Sequence, residues 1–111
     1  MSSDKLEKLA NSKFDIKQAK LNLLERVESQ LTFAYEGGLF KATPLLLAEI
    51  SALLTIYDVE EAVIMLDEYD NPILVPLGSM RTIAMEARQF ALNSYRKEYE
   101  ELKKVRKGAK L

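Results

Sequence analysis

The chain reads as an α+β fold, mainly helical, with three helices and one β-hairpin placed between the second and third. Three observations predict this. The first and last thirds carry apolar residues at helical spacing, a Thr-Pro pair opens an apolar central segment, and the stretch AVIMLDEYDNPILV joins two short β-branched runs through a turn composition.

The first helix is expected from Asp4 to Tyr35. Leu6, Leu9, Ile16, Leu23, Leu24, Val27, Leu31 and Ala34 fall in one sector at 100° per residue, opposite Glu7, Lys8, Asp15, Gln18, Asn22, Glu25 and Arg26. Ser3 or Asp4 can cap its first N–H groups, and Gly37-Gly38 is read as its stop, because glycine enters the left-handed conformation cheaply. Thr43-Pro44 then marks a second helix, Thr43 as cap and Pro44 at the first position, running to about Tyr57. Its apolar residues, Leu46 and Leu53 among them, go nearly all round, which predicts a place near the centre of the fold or of an assembly.

Val63-Ile64-Met65-Leu66 and Ile73-Leu74-Val75 are the expected hairpin arms, with Glu68-Tyr69-Asp70-Asn71 as the turn and Pro72 holding Asn71 extended. The competing reading is a short helix over 59–67, with Asp58 as its cap and Glu61 closing a capping box. Both arms are continuously apolar, so both faces of the ribbon want cover. Burial of Ile64, Leu66, Ile73 and Val75 by helices, or by a second copy, is expected to hold the ribbon together, since an isolated hairpin is marginal in water. Pro76-Leu77-Gly78 reads as a break, after which Ser79 caps a final helix to about Arg106. Its stripe is Met80, Ile83, Ala84, Ala87, Phe90, Ala91, Tyr95, Leu102 and Val105, and residues 107–111 form a frayed basic tail.

At 111 residues, 48% apolar and 30% charged, the sequence fits one globular domain spanning 1–111. It contains no histidine and no cysteine, which removes the commonest proton shuttle, thiolate nucleophiles, disulfides and the commonest metal ligands together. No catalytic, metal-binding or cofactor-binding residue is assigned, and a non-enzymatic role is expected. Asp67-Glu68-Tyr69-Asp70-Asn71 lacks the alternating acids and central glycine of a calcium loop, and Gly37-Gly38 has no phosphate-loop grammar around it. The N-terminal residues hold no apolar signal segment, and Glu49 interrupts the longest apolar run, so a cytoplasmic protein that does not enter the membrane is expected.

Charge is uneven although the net value is −1. Residues 58–77 hold six acids and no base, and residues 78–111 hold nine bases against four acids. Apolar demand that is high for a chain of this size, together with this dipole, predicts a homo-oligomeric assembly or adaptor protein, a dimer being favoured. Its candidate core or self-association residues are Leu23, Val27, Leu46, Leu53, Ile64, Leu66, Ile73, Val75, Phe90 and Tyr95. The alternative is a nucleic-acid accessory protein in which Lys103, Lys104, Arg106 and Lys107 meet phosphates, weakly and without base readout.

The order of a long helix closed by Glu36-Gly37-Gly38, a Thr43-Pro44 helix, the turn segment Leu66 to Ile73 and the charged run Tyr95-Arg96-Lys97-Glu98-Tyr99-Glu100-Glu101-Leu102-Lys103-Lys104 resembles small accessory and assembly proteins of tailed bacteriophages. The resemblance spans the chain in style, includes no diagnostic motif and carries no functional residue across. It implies a non-enzymatic viral protein acting in particle assembly, genome handling or host takeover, located in the host cytoplasm or the virion.

Overall fold

A computed structural model of the chain describes the backbone of residues 3–109 and the side chains of residues 15–104. Along the described chain run α1 (Ser3–Leu31), β1 (Thr32–Tyr35), β2 (Gly38–Lys41), α2 (Pro44–Leu53), β3 (Ala62–Leu66), β4 (Pro72–Pro76) and α3 (Leu77–Ala109). The four strands form two separate antiparallel hairpins, β1-β2 and β3-β4. The mainly helical α+β expectation therefore holds, but with two hairpins rather than one.

The hairpin not anticipated replaces the expected end of the first helix. α1 stops at Leu31, and Thr32–Tyr35 turns back on Gly38–Lys41 with Phe33 opposite Phe40 and Tyr35 opposite Gly38. Gly37-Gly38 is thus not a helix stop. Glu36 (φ 51°) and Gly37 (φ 82°) both take positive φ, the geometry of a two-residue turn whose twist matches that of paired strands. Phe33 stacks on Phe40 with ring centroids 5.8 Å apart, and this aromatic pair is what a continued helix would forgo. Gly38 is needed for space as well, because a Cβ there would lie 2.7 Å from Ile73 Cγ1.

α2 opens as expected, with Thr43 Oγ1 accepting from the Leu46 N–H at 3.1 Å and Pro44 in the first turn. It ends at Leu53 rather than near Tyr57, the chain continuing in turn geometry through Ile56. Its place is not central on all sides. Only Ile50 is buried, Leu46, Leu47 and Leu53 are half-buried, and Leu45 is exposed, so one face of the helix meets the core.

Between α2 and β3 the Glu61 carboxylate accepts from the Asp58 N–H at 3.2 Å, the contact a capping box would make. No helix follows it: Ala62–Leu66 is strand, and the hairpin reading is the one observed. β4 then passes into α3 without a break, so Ser79 lies inside the helix and is not its cap. The first helical donors are met by backbone instead, Leu77 N–H on the Glu61 carbonyl and Gly78 N–H on the Val59 carbonyl, each at 2.9 Å.

The chain divides into two compact units. One comprises residues 28–91 and holds both hairpins, α2 and the first part of α3. Its core is Phe40, Ile50, Met65, Val75, Met80 and Ala84, ringed by half-buried Phe33, Tyr35, Leu46, Leu47, Leu53, Leu54, Val63 and Ile73. The second comprises residues 1–27 and 92–111. Within it Leu23 and Val27 are buried one turn apart on α1, α1 and α3 are joined by the Arg26–Glu98 ion pair at 2.8 Å, and Tyr95 stacks on Tyr99. α3 continues to Ala109, past the expected end near Arg106, and residues 110–111 of the expected frayed tail lie outside those described.

Candidate functional site

The β3-β4 ribbon has one covered and one open face. Register pairs Ala62 with Pro76, Val63 with Val75, Ile64 with Leu74, Met65 with Ile73 and Leu66 with Pro72. Side chains alternate across a strand, so Val63, Met65, Ile73 and Val75 share the inner face, where Met65 (1% exposed) and Val75 (0%) belong to the core. Ala62, Ile64, Leu66, Pro72 and Leu74 share the outer face and are all exposed, with Ile64 at 60% and Leu66 and Leu74 each at 58%. No polar side chain interrupts this face. Burying an Ile or Leu side chain stabilises by roughly 1.5–3 kcal/mol, so three left more than half exposed hold several kcal/mol in reserve for an occupant.

The same alternation governs the backbone. Asp67 N–H bonds the Asn71 carbonyl at 3.0 Å and Leu77 N–H the Glu61 carbonyl, which places the hydrogen-bonded pairs at 61:77, 63:75, 65:73 and 67:71. Residues 62, 64 and 66 on β3, and 72, 74 and 76 on β4, therefore turn their main-chain groups away from the ribbon. On β4 two of these three positions are proline and have no N–H to offer. On β3 all three retain both N–H and C=O, and no turn, loop or side-chain hydrogen bond among the described residues engages them. β3 is an open edge and β4 a closed one.

Asp67 fixes the ribbon's tip. Its side chain is nearly buried and accepts from Leu39 N–H (3.1 Å), Tyr69 N–H (2.9 Å), Asn71 N–H (2.9 Å) and Asn71 Nδ2 (3.4 Å), while Glu68 N–H donates to the Leu39 carbonyl (2.8 Å). The Leu39 hydrogen bond first, with those from Asn71 and Tyr69, holds the Asp67 carboxyl below the usual carboxylate range against its burial. These contacts also occupy the outward groups of Leu39 on β2. The sequence from Ala42 to Met80 carries seven acids and no base. The nearest cation before it, Lys41 of β2, is ion-paired with Glu28, and that hydrogen bond raises its pKa, while Glu68 at the ribbon's tip lies close enough to favour its charged form as well.

The residues singled out by sequence are placed as follows. Leu23, Val27 and Val75 are buried, and Leu46, Leu53, Ile73 and Tyr95 are half-buried. Ile64, Leu66 and Phe90 (64% exposed) are not core. Ile64 and Leu66 come together on the open face, while Ile73 and Val75 lie on the opposite one, because positions of odd and even number separate across the pleat. Lys103 lies 5.6 Å from the centroid of the Tyr99 ring and 3.8 Å from Glu100, and Lys104 is exposed. The side chains of Arg106 and Lys107 lie outside those described. Sequence reasoning missed Ala62, Pro72 and Leu74 as outer-face residues and Met65 as core. The signal available was the pair of prolines flanking Ile73-Leu74-Val75, whose missing N–H groups fit only outward positions.

Among the described residues no helix is long and apolar enough to cross a membrane, and no group of three or more Asp or Glu side chains is arranged to hold a metal. Compared with known families, with curated proteins and with solved structures, the chain matches none.

Proposed function

We propose that the chain is a non-enzymatic protein-interaction module, an adaptor or assembly factor that docks a protein partner on the outer face of β3-β4. The observation that carries this reading is that face: five exposed apolar residues in one sheet, with no polar interruption, held rigidly by a buried inner face and by the Asp67 network. A soluble module that kept such a face uncovered would risk aggregation, and the proline-closed β4 edge shows where the ribbon is protected against uncontrolled pairing. A role among phage accessory proteins accords with it. A photo-crosslinking amino acid in place of Leu74, in cells that express the chain, is expected to yield a discrete protein adduct, and the same group in place of Thr82 is not. Equal adducts from the two positions would refute docking on this face.

Self-association is a second form of the same reading, supported by Leu21 (47% exposed), Leu24 (40%) and Leu92 (36%) on the helices of the 1–27 and 92–111 unit. Sedimentation equilibrium of the full chain tests it, and a mass of 12.6 kDa at every concentration would exclude it.

A further inference from the structure

Resting on that docking reading, we infer that β3 accepts one particular kind of occupant: an extended segment, apolar at alternate positions and flanked on both sides by lysine or arginine, added to the ribbon as a third strand.

Edge geometry selects an extended chain rather than a helix. The outward N–H and C=O groups of Ala62, Ile64 and Leu66 form a five-residue ladder template, about 17 Å long at ~3.4 Å per residue. Sheet edges are commonly blunted by proline, lysine or a bulge, and Ala62–Leu66 contains none of these. Two of the other edges are shut, β4 by Pro72 and Pro76 and β2 at Leu39 by Asp67 and Glu68, and β1 offers only Thr32 and Ala34 as outward positions. An added strand also extends the open face, setting alternate side chains beside Ile64 and Leu66.

Charge selects the flanks. Exposed Glu60 and Glu61 stand at the start of β3, and exposed Glu68 and Asp70 beyond its end, with no base in the sequence between Lys41 and Arg81. A partner strand lying along Ala62–Leu66 meets Glu60 and Glu61 at one end; at the other, β2 abuts the edge, its Leu39 carbonyl taking the Glu68 N–H, and the exposed carboxylates of Glu68 and Asp70 are reached by side chains alone. Its own cations would lie roughly six to eight residues apart, the span from Glu61 to Glu68 at strand rise. The same carboxylates argue against a second copy. Two β3 strands paired about Ile64 by a two-fold axis would set Glu61 of one copy opposite Asp67 of the other, and Glu60 opposite Glu68, twice over. Like charges directly opposite destabilise a strand pair.

The test uses the full chain and a fluorescently labelled synthetic peptide, an alternating valine–threonine core with two lysines before it and two arginines after it, read by anisotropy. Expected are binding that weakens with added salt, affinity at least about tenfold above that of the same core flanked by glutamates, and loss of binding when alternate core amides of the peptide are N-methylated. Charge reversal at Glu60, Glu61 and Glu68 to Lys is expected to invert the preference. Ile64→Pro, which removes an outward N–H but no β3-β4 hydrogen bond, is expected to abolish binding. Should that variant lose its thermal transition, the N-methylated peptide makes the same test from the ligand side. Equal affinity for lysine-flanked and glutamate-flanked peptides, or undiminished binding of the N-methylated one, overturns the inference while leaving face docking to the crosslinking result. A dimer of the chain that Ile64→Pro dissolves overturns it in favour of the second copy.

Discussion

Replacing Met65 and Ile64 in turn by alanine separates the two faces of one strand. Met65 is 1% exposed, among Phe40, Ile50, Val75, Met80 and Ala84, and removal of a buried side chain of that size destabilises by about 2–5 kcal/mol through lost transfer energy and the cavity left behind. Ile64 is 60% exposed, so two-fifths of a full burial worth ~1.5–3 kcal/mol is at stake, or roughly 0.6–1.2 kcal/mol. Urea melts followed by far-UV circular dichroism convert these to midpoints. With a slope near ~1.5 kcal/mol per molar, Met65→Ala lowers the midpoint by about 1.3–3.3 M and Ile64→Ala by about 0.4–0.8 M. The difference is large against a total stability of ~5–15 kcal/mol. An Ile64→Ala shift equal to or larger than that of Met65→Ala would place Ile64 in the core and remove the open face.

Two further outcomes follow from the turns. Asp67, with its pKa held down in the folded chain, contributes stability that is present above the unfolded value of ~3.9 and is lost as pH falls through the folded one. Asp67→Asn should therefore melt below the parent at neutral pH, and the two should converge in acid, as thermal scans from neutral to strongly acidic pH will show. Glu36→Asn places the favoured Asn-Gly pair at a turn where both φ values are positive, and should raise the melting temperature, with no gain if the turn is helical.

The second hairpin was legible because its signals agree. β-branched arms, a turn composition and Pro72 all point one way, and the competing Asp58–Glu61 capping contact exists but is followed by residues that pair better than they coil. The first hairpin was hidden because Leu31 and Ala34 continue the helical sector of Leu23 and Val27, so periodicity carried the helix past its end. What stops it is tertiary: Phe33 stacking on Phe40, and Leu39 taking up Asp67 from a segment far along the chain. The candidate face was half legible. Composition showed that both sides of the ribbon were apolar, but which side stayed open depends on register, and a one-residue slip would exchange Ile64 for Met65. Composition alone marks the Lys-rich end, where exposed Lys103 lies beside the Tyr99 ring and Glu100.

The division into two units has a consequence for the order in which the molecule assembles. The unit made of residues 1–27 and 92–111 draws on both extremities of the chain, and everything between them belongs to the other unit. Closing that intervening loop from an unstructured state costs roughly 4 kcal/mol in chain entropy, a penalty already met once residues 28–91 have folded and brought their own ends to fixed positions. The inner unit can nucleate from near-neighbour pairings, two hairpins whose strands are separated only by their turns, which is the regime of rapid folding. Unfolding of residues 28–91 restores that closure cost to the terminal helices, whereas loss of either end removes no residue of the two hairpins.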